Sequence, residues 1–254
     1  MAWFEHGNSR IYFEETGAGV PVLFLPGLTD SIERYSELRQ VLAAAGYRVI
    51  AADLPGSGRS EPQPRAYTRD YYQKDAHTFA ALLKHLAAAP AHLIGFSDGG
   101  ETSLLIAIQS PGSARSLIVW GAAGALDDPE GQLVNTFATL IDNPIPRMAP
   151  FRDYLVSVYG EANARSTTQS VAGAFREIVA GGGNISQSRA GEIKCPSLVI
   201  AGAHDPFFTR ELVAALADKI PDARLEYLED VGHDVYGERQ EWLTQMILNW
   251  LATH

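Results

Sequence analysis

Gly95-Phe96-Ser97-Asp98-Gly99 places a serine between two flanking glycines, directly after the apolar run His92-Leu93-Ile94 and ahead of a helical pattern from Gly99 to Gln109. Strand, turn and helix in that order form the sharp elbow that exposes a serine hydroxyl for nucleophilic attack. Glycine suits both flanks because a turn this tight leaves no room for a β-carbon. Five residues are a weak motif alone in a chain with 23 glycines, so its weight comes from that setting. The helix that follows also brings the positive end of its dipole to where an oxyanion would form.

A serine hydroxyl needs a base to take its proton, and the base needs an acid to orient it. Seven histidines are available. His233, in Val231-Gly232-His233-Asp234, follows the last strand pattern and precedes the final helix, which is a loop at a strand's carboxyl end. His204, beside Asp205, is its rival. His77 and His85 fall on the polar side of a predicted helix, His92 begins a strand, and His6 and His254 lie near the termini. The expected acid is Asp205, in Gly202-Ala203-His204-Asp205-Pro206 directly after Leu198-Val199-Ile200-Ala201, although a carboxylate before Pro206 also suits a plain turn. The order Ser97, Asp205, His233 is that of a nucleophile-elbow enzyme. The backbone N–H groups of Asp98 and Leu28, the latter in Leu25-Pro26-Gly27-Leu28-Thr29, are the expected oxyanion donors.

These residues need a scaffold that ends several strands at one edge. Strand-like runs cover Trp3 to Glu5, Arg10 to Glu15 and Val22 to Leu25. A helical pattern from Ser31 to Ala45 leads to a strand over Tyr47 to Ala52, and the unit repeats: helix from Thr68 to Ala89, strand from His92 to Phe96, helix from Gly99 to Gln109, strand from Ser116 to Trp120. Strands at Ser197 to Ala201 and Arg224 to Leu228 alternate with helices at Thr209 to Lys219 and Glu238 to Ala252. This alternation predicts an α/β fold with a mostly parallel sheet, helices on both faces, and ligands at the strands' carboxyl ends. The 76 residues from 121 to 196 exceed an ordinary connection. Helical spacing at Val134 to Ile141, Phe151 to Tyr159 and Ala164 to Ala180 predicts a cap or lid inserted between core segments 1–120 and 197–254. Phe137, Tyr154, Tyr159, Phe207 and Phe208 are candidate walls of the substrate pocket.

The whole composition agrees with a small-molecule enzyme. Thirty acidic against 20 basic residues give a formal charge of −10, which disfavours a nucleic-acid partner and suits neutral or cationic ligands. Cys195 is the sole cysteine, so no intrachain disulfide forms and no zinc-like cluster is evident; neither metal nor cofactor is expected. No stretch approaches the roughly 18 apolar residues of a membrane span, and the first residues lack the features of a signal peptide, so the expectation is a cytoplasmic protein.

Pro26-Gly27-Leu28, Asp53-Leu54-Pro55-Gly56-Ser57-Gly58-Arg59-Ser60, Gly95-Phe96-Ser97-Asp98-Gly99-Gly100 and Gly232-His233 together resemble the α/β-hydrolase superfamily along nearly the whole chain. Gly-Phe-Ser-Asp-Gly-Gly, Leu-Ile-Val-Trp-Gly-Ala, and Gly-Asn-Ile ahead of Cys195-Pro196-Ser197-Leu198-Val199-Ile200 further resemble the biphenyl hydrolase-like serine hydrolases, the valacyclovirases. That resemblance implies cleavage of α-amino-acid esters, with Asp98 receiving the substrate's ammonium group. An aspartate in the first turn of a helix is also favourable simply for capping. Leu54 stands where an arginine is common in the superfamily, and Asp234 where these relatives tend to have asparagine. The expected activity is carboxylic ester hydrolysis through an acyl-enzyme. The alternatives are lactone opening, C–C bond hydrolysis or perhydrolysis on the same residues, or a small-molecule receptor with a hydrolase fold.

Overall fold

Continuously apolar strand segments are stable only if covered on both faces, and the computed structural model, which describes residues 2–254, shows that arrangement. Eight strands, β1 (Ala2–His6), β2 (Ser9–Thr16), β3 (Val20–Leu25), β4 (Tyr47–Ala52), β5 (Ala91–Phe96), β6 (Ala114–Trp120), β7 (Ser197–Gly202) and β8 (Ala223–Leu228), form one sheet. Their order is β1-β2-β4-β3-β5-β6-β7-β8. β1 and β2 form an antiparallel hairpin, β2 runs antiparallel to β4, and the remaining pairs are parallel.

Side chains alternate across each strand, so each central strand feeds two cores. Leu23, Leu25, Leu93, Leu117, Val119 and Val199 join residues of α2 (Tyr71–His85), α3 (Asp98–Gln109) and α7 (Arg210–Lys219). Val22, Phe24, Ile94, Ile118, Trp120, Leu198 and Ile200 join α1 (Ser36–Ala44) and α9 (Gln240–Leu251). Burying each of these large side chains contributes roughly 2 kcal/mol before entropy is counted. The 121–196 segment holds α4 (Gln132–Ala138), α5 (Ala149–Tyr159) and α6 (Glu161–Ala180). Leu140, Ile141, Met148, Leu155 and Ala164 form a small apolar cluster there, while Phe137 and Phe175 pack into the main core.

Three predicted boundaries shift for local reasons. The helix expected from Ser31 begins as a 3₁₀ turn over Ile32–Tyr35, with the Ile32 amide donating to Asp53 Oδ1 at 2.8 Å, and becomes α1 only at Ser36. The helix expected to reach Ala89 stops at His85, because Ala87 takes a left-handed φ of 49° and Ala89 precedes Pro90. The helix expected from Glu238 is two pieces: a short α8 (Val235–Glu238), capped by the Asp234 side chain, and α9 after a non-helical Arg239. Among the described residues no helix is long and apolar enough to cross a membrane.

β3 has β4 on one side and β5 on the other. The loops leaving β3 and β5 therefore diverge, and a crevice opens at the carboxyl ends of these two strands.

Candidate active site

Ser97 sits at that crevice between β5 and α3, with φ 51° and ψ −118°, a backbone region that costs on the order of 1–3 kcal/mol for a non-glycine residue. Its amide donates to Trp120 O at 2.9 Å, and its carbonyl accepts from the Glu101 amide at 2.9 Å. The flanking glycines are sterically required: a β-carbon on Gly95 would lie 2.3 Å from Gly99 O, and one on Gly99 would lie 2.2 Å from Leu25 O.

The loops after β7 and β8 bring two more predicted residues to Ser97. His233 Nε2 lies 3.0 Å from Ser97 Oγ, and His233 Nδ1 lies 2.8 Å from Asp205 Oδ2. A carboxylate only accepts, so Nδ1 carries the proton and Nε2 is the acceptor facing the serine hydroxyl. Asp205 Oδ1 accepts from the amides of Phe207, at 2.8 Å, and Phe208, at 3.2 Å. The turn role and the histidine contact thus fall to opposite oxygens of one side chain. Phe96, Phe207 and Phe208 surround the His233 ring with centroids 5.1, 4.9 and 5.9 Å away. His204 is exposed, and its amide is bound to Val231 O at 2.9 Å. His92 is buried against Ser116.

The loop after β3 lies on the nucleophile, since a β-carbon on Gly27 would be 3.3 Å from Ser97 Cβ. Leu28 and Thr29 are the central residues of a turn closed by the Asp30 amide on Gly27 O at 3.2 Å. Among the described residues, neither the Leu28 nor the Asp98 amide donates to another backbone group outside regular strand and helix pairing. A cavity of about 580 Å³ opens over Ser97 and His233. Its lining includes Leu28, Asp98, Phe137, Tyr154, Phe207 and Phe208, joined by Leu126, Leu133, Met148, Phe151 and Phe175. Tyr159 is a correction. It does not line the cavity; its hydroxyl donates to Thr29 O at 2.7 Å and accepts from the Gly58 amide at 2.8 Å.

Below the elbow lies a group of buried acids. Asp98 accepts from Tyr71 Oη and Tyr72 Oη, each at 3.0 Å, and burial raises its pKa to about 6. Each carboxylate oxygen retains accepting capacity. Arg65, on the same side, is held by Asp75 through two bonds of 2.6 and 2.8 Å. Glu101 Oε1 accepts from the amides of Ala123, at 2.9 Å, and Gly124, at 2.8 Å, and burial raises its pKa to about 7. Tyr71, Tyr72 and Glu101 carry no spacing signal, because their partners lie on different elements.

Residues 19–240 match the family model described as Serine aminopeptidase, S33, and the chain belongs to that family of α/β-hydrolases. It is a serine hydrolase acting on small molecules. The human serine hydrolase BPHL is 26% identical over 230 residues, spanning 89% of this chain and 78% of that protein. A 2-hydroxy-6-oxononadienedioate/2-hydroxy-6-oxononatrienedioate hydrolase of Cupriavidus pinatubonensis is 24% identical over 279 residues, spanning 96% of this chain and 91% of its own. The solved structure of Rv0554 from Mycobacterium tuberculosis has the same fold, with a TM-score of 0.81 at 22% identity and 99% coverage of both chains.

Proposed function

We propose that the protein hydrolyses carboxylic esters through an acyl-enzyme on Ser97 and prefers esters of α-amino acids. The observation that carries the first part is the unbroken chain Ser97 Oγ, His233, Asp205, with contacts of 3.0 and 2.8 Å beneath an apolar cavity. His233 Nε2 takes the hydroxyl proton as Ser97 Oγ attacks the ester carbonyl. The tetrahedral oxyanion is held by the Leu28 and Asp98 amides. His233 passes the proton to the departing alcohol, then draws a proton from water as the water attacks the acyl-enzyme, and returns it to Ser97. Asp205 fixes the imidazole's tautomer and supports its positive charge. The 121–196 segment acts as the cap, contributing Phe137, Phe151 and Tyr154 to the cavity lining.

Charge supports the amino-ester preference. Asp98 borders the cavity beside the nucleophile, its hydrogen bonds come from neutral phenols, and the half-buried Arg65 is already taken by Asp75. An ammonium group on the substrate's α-carbon supplies the missing cation and uses the carboxylate's remaining lone pairs. Replacing Ser97 with alanine tests the reaction itself: hydrolysis of short-chain nitrophenyl esters falls at least about a thousandfold. Wild-type turnover in Ser97→Ala would overturn the assignment.

A further inference from the structure

The geometry points to Tyr159, assisted by Tyr154, as a positioning residue that sets the oxyanion-binding loop from the 121–196 segment. This rests on the reading of the Leu28 amide as an oxyanion donor. Thr29, the next residue, holds a φ of 59°, in the left-handed region that glycine favours, and is 2% exposed. A threonine stays there only where its surroundings hold it. Its amide donates to Ser57 Oγ at 2.9 Å, its hydroxyl donates to Leu28 O at 2.6 Å, and its carbonyl accepts two phenol hydroxyls, Tyr159 at 2.7 Å and Tyr154 at 3.2 Å.

Both tyrosines belong to α5, and among the described residues no loop or turn amide donates to Thr29 O. Tyr159 reaches further: its oxygen accepts the Gly58 amide, so one phenol ties α5 to the turns after β3 and β4 at once. Thr29, the neighbour of the Leu28 donor, is consequently gripped at its amide by Ser57 and at its carbonyl by the two α5 tyrosines. α5 also gives Phe151 and Tyr154 to the cavity wall. Seating α5 over a substrate and aligning the Leu28 amide are then one event. Removing the latch leaves the cavity walls in place but lets the donor drift, a loss felt in the transition state rather than in ground-state binding.

Steady-state kinetics on a nitrophenyl ester test this with wild type, Tyr159→Phe, Tyr154→Phe and Ser97→Ala, alongside affinities for an alkyl boronic acid, which forms a tetrahedral adduct, and for the matching alkyl amide, which does not. Tyr159→Phe is expected to lower kcat roughly tenfold with KM within about twofold. Boronate affinity should fall by a similar factor while amide affinity holds. Tyr154→Phe, which loses the longer bond, should show the same split at smaller size, and it carries the test if Tyr159→Phe does not fold. Wild-type kcat in both phenylalanine variants, or equal losses for boronate and amide, overturns the latch. If Ser97→Ala retains turnover, the underlying reaction assignment fails instead, so the two failures are distinguishable.

Discussion

Asp98 carries two proposed roles: its amide as an oxyanion donor, and its carboxylate, which accepts from two tyrosine hydroxyls beside the cavity, as the seat of a substrate ammonium group. A charge-assisted hydrogen bond is worth roughly 1.5–3 kcal/mol. Asp98→Asn should therefore lower kcat/KM for an α-amino ester about 10- to 100-fold relative to its uncharged analogue, leaving the backbone donor intact. Equal losses for the two esters would remove the ammonium role. pH supplies a second readout. Burial raises the Asp98 pKa to about 6, so the anion that attracts an ammonium is present above that value and disappears as pH falls through it. His233 affects both esters alike, so the ratio of their kcat/KM values isolates Asp98 and should fall between about pH 7 and 5. The grouping of Ser97, Asp205 and His233 was legible because each lies in the turn or loop that follows a strand pattern. Tyr71 and Tyr72 were not, because a hydroxyl that crosses from α2 to α3 leaves no trace in local spacing, and Tyr159 read as a cavity wall for the same reason.

At the scale of elements, α3 does more than follow the nucleophile. Its Glu101 reaches the Ala123 and Gly124 amides and so fastens the start of the 121–196 segment to the elbow helix. The strands and most helices were evident from apolar runs and 3.6-residue spacing, whereas the 3₁₀ start of α1 and the break at Arg239 depend on tertiary hydrogen bonds and caps. Burial raises the Glu101 pKa from 4.5 to about 7, so the folded chain holds this proton more tightly than the unfolded one. The stability that results is fully present below about pH 4.5 and is lost as pH rises through about 7. Between pH 6 and 8 this group alone should cost wild type about 1 kcal/mol. Glu101→Gln keeps an oxygen for the two amides and cannot ionise. Its urea midpoints at pH 6 and 8 should therefore lie closer together than those of wild type, and an unchanged gap would show that Glu101 does not titrate in the folded protein.

Across the whole molecule, the order of strands turns scattered residues into one site. Leu28, Ser97, Asp205 and His233 span 206 positions of the chain, yet each follows a strand that ends at the same edge of the sheet. The acidic balance of the chain, −10 in formal charge, and the buried Asp98 carboxylate, held by two phenols, both support the proposed cationic substrate. The proposed chemistry depends on Ser97 Oγ being the atom that attacks. Titration with a nitrophenyl alkylphosphonate measures that most directly, because the phosphonyl group remains on the nucleophile. Nucleophilic attack by Ser97 predicts one equivalent of nitrophenolate released per chain, loss of esterase activity in step with that release, and the adduct on Ser97 by peptide mass spectrometry. Full activity after one equivalent has reacted, or an adduct on any other residue, would contradict it.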